Sequence, residues 1–282
     1  MIVYLNGEVI DREQARISPD DRGFVFGDGV YEVIRVYDGR MFAPEAHIDR
    51  MRRSLTAMRI DPDVTDGLPS IANELIKRNG LTAGDVTVYL QVTRGVAPRK
   101  HPFPPSDTKP TVYATAKSFD PPRTEWENGV GAILVPDIRW SRCDVKTTSL
   151  VPNVMAAQKA RAAGVFEGLF VRDGVVLEGS HTNFCAVLDG TLQTAPRSNY
   201  ILAGITRETV LGLCADESIP VREFPIFQSD LAHASEMMLL GTTTEVMPVI
   251  EIDGRPVGDG RPGPVTRRLQ AAFSRRTSQT AG

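Results

Sequence analysis

The 282-residue chain is 41% hydrophobic and 24% charged, with a net charge of −3, an ordinary globular makeup large enough for two lobes. No basic block points to nucleic acid or an anionic membrane, and the apolar runs fall far short of the roughly 20 residues that cross a bilayer. The start, MIVYLNGEVIDREQ, lacks a secretory lead. Three scattered cysteines (Cys143, Cys185, Cys214) fit a reduced, cytoplasmic protein, and no Cys/His cluster has metal-ligand spacing.

In chain order, short strands come first. Asp38-Gly39 in VYDGRMF is a hairpin signal, because both turn positions tolerate positive φ. Ile48, Met51, Leu55 and Met58 recur at helical spacing after Pro44, which predicts an amphipathic helix. A second helix is expected from about Gly67 to Asn79, stopped by Gly80. Val86, Val88, Leu90 and Val92 alternate as a strand, and TVYATAKSF reads as another.

Between these strands, Pro98, Pro102, Pro104, Pro105 and Pro110 exclude helix and central strand, leaving a stiff exposed loop. The proline-rich stretch DPPRTEWENG suggests a boundary: an N-terminal domain over 1–120, a linker over 121–129 and a C-terminal domain over 130–282. In the second half, Ser141 to Leu150 alternates like a strand and leads into a helix from about Asn153 to Ala163. Asp173-Gly174, Asp189-Gly190 and Asp253-Gly254 mark hairpins, and GITRETVLGLCADE reads as a helix entered from a glycine turn. Hairpins outnumber βαβ units, so mixed α and β lobes are expected rather than a doubly wound parallel sheet.

Chemistry centres on the lysines, of which there are six. Lys77 and Lys159 fall on solvated helix faces, Lys100 and Lys109 in the proline-rich loop, and Lys117 at a strand end. Lys146 is set within the second lobe. Pattern alone leaves two readings open for it, a side chain snorkelling at a strand end or a reactive amine.

The blocks RWSRCDVK around Lys146, EGSHTN at 178–183, ILAGITRE at 201–208 and TTTE at 242–245 resemble the class IV (branched-chain type) aminotransferases. DRGFVFGDGVYEVIRVYDG, HIDR, QVTRGVAPRKHPFP and PVIEIDG are similar to the D-amino-acid aminotransferases of that family. The resemblance implies an α+β, two-domain fold-type IV enzyme. Its smaller N-terminal lobe would be α/β, and its larger C-terminal lobe would hold a mixed, barrel-like sheet and the Schiff-base lysine. It also implies pyridoxal 5′-phosphate (PLP) as cofactor and a ping-pong exchange of D-alanine and 2-oxoglutarate for pyruvate and D-glutamate.

By the same resemblance Lys146 is the Schiff-base amine and Glu178 the acid partner of the pyridine nitrogen. Arg50, Ile205, Thr206 and Thr242 bind phosphate, Leu202 packs on the ring, and Ser180 and Thr182 place hydroxyls near the cofactor. Tyr31, Arg99 and His101 bind the substrate carboxylate, the last two entering from the partner of a homodimer. A helix N-terminus suits a dianion, and arginine's planar fork suits a carboxylate.

Three departures stand out: His181 replaces a more usual serine, Gly241 replaces a hydroxyl residue, and KTTSLV replaces KSxxLL. A branched-chain L-aminotransferase, an (R)-amine transaminase and 4-amino-4-deoxychorismate lyase share the cofactor site and remain alternatives, as does a PLP-binding protein without turnover. His47 and His233 read as structural or solvated.

Overall fold

The computed structural model describes residues 1–279, so the last three residues of the expected C-terminal domain lie outside the described part. The chain divides into two compact units. One comprises Met1–Asp120 with Val145–Leu150, the other Pro121–Asp144 with the chain from Val151 onward.

The first unit contains β1 (Ile2–Leu5), β2 (Glu8–Asp11), α1 (Arg22–Phe26), β3 (Gly29–Tyr37), β4 (Arg40–Met41), α2 (Pro44–Ala57), α3 (Leu68–Arg78), β5 (Asp85–Thr93) and β6 (Thr111–Ser118). Its six strands form one antiparallel sheet in the order β2-β1-β6-β5-β3-β4. The alternation of β5 holds, since Val86, Val88, Leu90 and Val92 are all buried. They pack in one core with Ile34 and Val36 of β3, Met51 and Leu55 of α2, and Leu75 and Ile76 of α3. The Asp38-Gly39 turn between β3 and β4 has positive φ at both residues, as its sequence requires.

The stretch before the helix at Val151–Ala162 differs from its expected form. Instead of a strand over Ser141–Leu150 there is a single bridge, Thr147 to Val30. Val145 joins the core of the first unit. The Lys146 carbonyl accepts from the Tyr31 N–H at 3.0 Å, and the Thr148 N–H donates to the Gly29 carbonyl at 3.0 Å. Backbone bonds to β3 thus draw Lys146 into the first unit, correcting its expected place in the C-terminal domain. The alternation marked an extended segment, but its partner is an edge that sequence does not identify.

The second unit contains α4 (Arg123–Asn128), β7 (Val130–Pro136), α5 (Val151–Ala162), β8 (Glu167–Arg172), β9 (Val175–Gly179), β10 (Asn183–Leu188), β11 (Thr191–Thr194), α6 (Ile205–Asp216), β12 (Val221–Glu223), β13 (Ile226–Phe227), β14 (Glu236–Gly241), β15 (Glu245–Ile252), β16 (Arg255–Pro256) and α7 (Pro264–Gln279). The stretch expected as a linker is therefore largely helix α4. It is tied down where the Trp126 indole N–H donates to the Thr244 carbonyl at 2.7 Å.

Along the large sheet the order is β12-β11-β10-β14-β15-β7-β8-β9-β13, and a further β9–β10 pairing closes a ring through six of these strands. Parallel pairs (β15 with β7, β7 with β8, β11 with β12) mix with antiparallel ones. The closing pair is Asn183 with Glu178, so closure itself places two polar side chains of the EGSHTN block opposite each other. Among the described residues no helix is long and apolar enough to cross a membrane.

Candidate functional site

The sequence-derived site residues fall into two sets, one on each unit. On the first unit, β3 and α2 carry a buried ionic cluster. Strand alternation sends Glu32 toward α2 and Tyr31 to the opposite face. Glu32 is fully buried. Arg50 grips it with Nε to Oε1 at 2.7 Å and Nη2 to Oε2 at 2.8 Å, and His47 Nδ1 lies 2.8 Å from Oε2. Burial opposes ionisation of Glu32, but the charge and hydrogen bonds of Arg50 prevail and hold the carboxyl well below its ordinary range. Burial also lowers the His47 pKa, against the pull of Glu32.

Arg50, which by default would be a surface charge, is thus a buried member of an ion pair that orients it. His47, expected as structural or solvated, is buried against Glu32. Lys146 is half-buried, and its backbone N–H donates to Ser54 Oγ of α2 at 3.1 Å. Its Nζ lies 4.3 Å from the centre of the Tyr31 ring. Tyr31 in turn stacks on Tyr89 of β5 at 5.8 Å, and the Tyr89 hydroxyl donates to Gln91. Lys146 and Tyr31 are therefore neighbours. Arg99 and His101 gather elsewhere on this unit, in the exposed loop after β5 and around the Phe26 ring, at 5.3 and 5.6 Å.

On the second unit the centre is Glu178, at the end of β9. One oxygen accepts from Arg139; the other accepts from Asn183 Nδ2 at 3.1 Å and the Leu202 N–H at 3.0 Å. Asn183 Nδ2 also donates to the Leu202 carbonyl at 2.8 Å, so it ties the carboxylate to the loop before α6. Arg139 is itself held by Asp137, with Nε to Oδ1 at 2.9 Å and Nη2 to Oδ2 at 3.1 Å, and lies over Phe170 at 4.1 Å. Burial pushes the Glu178 carboxyl up to about 7, against the opposing pull of Arg139. A group that titrates near neutrality inside a cluster of fixed donors is suited to sharing a proton with a ligand.

Ile205 and Thr206 open α6, a 12-residue helix whose N-cap is Gly204. First-turn amides of a helix lack intrahelical acceptors and carry the positive end of the dipole. A Cβ at Gly204 would lie 2.0 Å from Asn183 Oδ1, so only glycine lets the helix start approach the Glu178 cluster this closely.

Ser180 and Thr182, expected as hydroxyls near the cofactor, both donate to Glu167, from Ser180 Oγ at 2.6 Å and from Thr182 Oγ1 at 2.9 Å. The reason is that Glu167 is wholly buried and needs donors; the Ser180 N–H at 3.0 Å and His181 Nδ1 at 3.1 Å supply more. Burial raises this carboxyl, but His181, Ser180 and Thr182 outweigh it and hold the pKa at about 2. Thr242 lies in the turn between β14 and β15, after Gly241. A Cβ on Gly241 would meet Thr244 Oγ1 at 3.3 Å, a tight fit.

Sequence reasoning missed Glu32, Arg139, Glu167 and Asn183 as members of these clusters. Arg139 and Asn183 stood inside the recognised blocks, and Glu32 directly follows Tyr31. Glu167, in the plain run FEGLF, carried no signal. Among the described residues no group of His, Cys, Asp and Glu is placed to hold a metal ion.

The amino-transferase class IV family model matches residues 29–252. The D-alanine aminotransferase of Staphylococcus haemolyticus is 44% identical over 274 residues, covering 97% of this chain and 96% of the relative. That of Bacillus licheniformis is 41% identical over the same shares. Among solved structures, the branched-chain aminotransferase of the archaeon Thermoproteus uzoniensis with norvaline superposes with a TM-score of 0.86 at 28% identity, covering 99% of this chain and 95% of the other. The branched-chain enzyme of Escherichia coli gives 0.87 at 27% identity, over 97% and 93%.

Proposed function

The chain belongs to the amino-transferase class IV family, and on that premise we propose that it exchanges amino groups between D-amino acids and 2-oxo acids, with D-alanine and 2-oxoglutarate yielding pyruvate and D-glutamate. The observation that carries this reading is the near-full-length likeness to D-alanine aminotransferases. The loop geometry that turns Arg99 and His101 toward one aromatic ring supports it. The structural likeness to branched-chain enzymes comes at lower identity and reflects the shared fold.

The cofactor is PLP, and the donor set fits it. A buried carboxylate is held by three donors, a glycine-capped helix start lacks room for a Cβ, and a half-buried amine lies over a tyrosine. When bound, PLP supplies an electrophilic carbon and an electron-withdrawing ring. Lys146 would hold it through Nζ, and that nitrogen, once released, would take the proton from substrate Cα as the base of the 1,3-proton transfer that transamination requires, and then give it up as the acid. Holding the cofactor and taking the proton both require Nζ in its neutral form, since only a free lone pair can attack carbon or accept a proton.

Glu178, oriented by Arg139, Asn183 and the Leu202 amide, holds the proton at the pyridine nitrogen. Ile205 and Thr206 present backbone amides to the phosphate, with Arg50 and Thr242 as further phosphate-binding residues and Leu202 against the ring. Ser180 and Thr182 act through Glu167, fixing the turn that carries Glu178. Tyr31 binds the substrate carboxylate together with Arg99 and His101, which come from a second copy in a homodimer. The exposure of Phe24 (78%) and Phe103 (54%) supports a partner covering that side of the first unit. In this reading the two domains are Met1–Asp120 with Val145–Leu150 and Pro121–Asp144 with the chain from Val151 onward.

The test is to add D-alanine, L-leucine or (R)-phenylethylamine separately to PLP-loaded protein and follow the visible spectrum. Conversion to the pyridoxamine form by D-alanine is expected. Conversion by L-leucine or the amine with D-alanine inert would transfer the chain to another member of the family. Borohydride reduction and peptide mapping should label Lys146, and a label elsewhere refutes its role.

A further inference from the structure

The loop carrying Arg99 and His101 lies outside helix and strand, and its prolines stiffen it without anchoring it. Backbone bonds to Asp20 and Arg22 hold its start at Gly95 and Ala97, and further along it is held by a buried cluster drawn from three other places in the first unit. Asp28 accepts Arg22 Nε at 2.8 Å and is gripped by Arg94 through Nε at 2.7 Å and Nη2 at 2.9 Å. Asp28, Arg22 and Arg94 are all buried. Burial opposes ionisation of Asp28, yet the two arginines hold its carboxyl below the ordinary range.

The remaining donors of the two arginines reach two different segments. Arg22 Nη1 donates to the Lys100 carbonyl at 2.6 Å and Nη2 to the His101 carbonyl at 3.5 Å. Arg94 Nη2 donates to the Met58 carbonyl at 2.7 Å and Nη1 to that of Arg59 at 3.1 Å, at the end of α2. The cluster therefore links the helix that bears Arg50 to the two carbonyls flanking the recognition side chains. The Phe26 ring completes it, with the Arg22 guanidinium at 4.8 Å, close to where Arg99 and His101 also meet the ring.

We infer that Arg22, Asp28 and Arg94 are positioning residues for carboxylate recognition, holding the backbone at Lys100 and His101 so that Arg99 and His101 turn together toward the substrate. The inference rests on the reading of Arg99 and His101 given above. It goes further in locating what orients them: one carboxylate shared by two guanidinium groups. Lysine in place of Arg22 keeps the charge but loses the planar fork that reaches Asp28 and two carbonyls at once.

The experiment compares steady-state kinetics of the PLP-saturated full chain with those of Arg22→Lys, Phe26→Leu and Arg99→Ala. A misplaced recognition loop should raise KM for D-alanine and for 2-oxoglutarate together by roughly tenfold to a hundredfold, with kcat kept within about threefold. PLP retention should not change. In the Arg99→Ala background the further effect of Arg22→Lys should shrink to the part carried by His101, since the two substitutions share the Arg99 contact. A mild loss of packing alone would lower kcat or PLP retention without this paired rise in KM.

If Arg99→Ala raises KM while Arg22→Lys and Phe26→Leu leave it unchanged, the positioning role is overturned and the carboxylate reading stands. An equal Arg22→Lys effect with and without Arg99 also overturns it. If Arg99→Ala leaves KM unchanged, the carboxylate reading itself fails. Phe26→Leu keeps the test decisive should Arg22→Lys fold poorly.

Discussion

Replacing Glu167 with glutamine tests whether a carboxylate outside the recognised motifs holds the Glu178 turn in place. Glu167 is fully buried and accepts from Ser180 N–H, Ser180 Oγ and Thr182 Oγ1, with His181 beside it. Its pKa falls from an ordinary 4.5 to about 2, which corresponds to about 3 kcal/mol of stability at neutral pH. Because the folded-state pKa is depressed, this contribution is complete above about pH 4.5 and fades as pH falls toward about 2.

Glutamine keeps the shape but removes the charge and turns one acceptor into a donor facing the Thr182 hydroxyl. Denaturant unfolding of wild type and Glu167→Gln should therefore differ by about 3 kcal/mol at pH 7, and by about 1 kcal/mol at about pH 3. PLP affinity should fall in parallel, because the displaced turn carries Glu178. A stability gap below about 1 kcal/mol at pH 7, or one that does not narrow with acid, would refute the reasoning.

Arg139→Met removes one partner of a buried pair and should cost about 3–5 kcal/mol, softened where Arg172 still holds Asp137; the pH profile of kcat should shift as Glu178 loses its counter-charge, and an unmoved profile would count against that link. Gly204→Ala puts a methyl where Asn183 Oδ1 stands, so PLP affinity should drop by roughly tenfold or more, measured by equilibrium titration. Gly241→Ser restores a hydroxyl beside Thr242, and with Thr244 Oγ1 only 3.3 Å from the new Cβ it should fit after a small shift and tighten PLP by roughly two- to fivefold, about the value of one hydrogen bond. Lys146→Ala should bind D-alanine without turnover while its circular dichroism stays native.

How far the sequence carried the fold differs from element to element. α2 was legible because Ile48, Met51 and Leu55 repeat at helical spacing behind Pro44, and those residues are buried in the core. The alternation of β5 and the four Asp-Gly turns were legible for the same reason: the information is local, within a few residues of the backbone it shapes. The expected linker instead forms helix α4, which a Trp126 hydrogen bond to a carbonyl 118 residues along the chain ties to the second unit.

For the site, the sequence on its own marked candidate blocks through their resemblance to a family, since lysine, glutamate and the G-I-T helix start come in short runs, while residue pattern alone left Lys146 open. Tertiary structure alone decided which groups meet. It drew Lys146 to β3 through bonds to Tyr31 and Gly29, set Asn183 opposite Glu178 where the ring of strands closes, and turned the Ser180 and Thr182 hydroxyls to Glu167. The physical reason is that a buried charge must find donors wherever the fold brings them. Those donors stand up to tens of residues away, at distances no local pattern encodes.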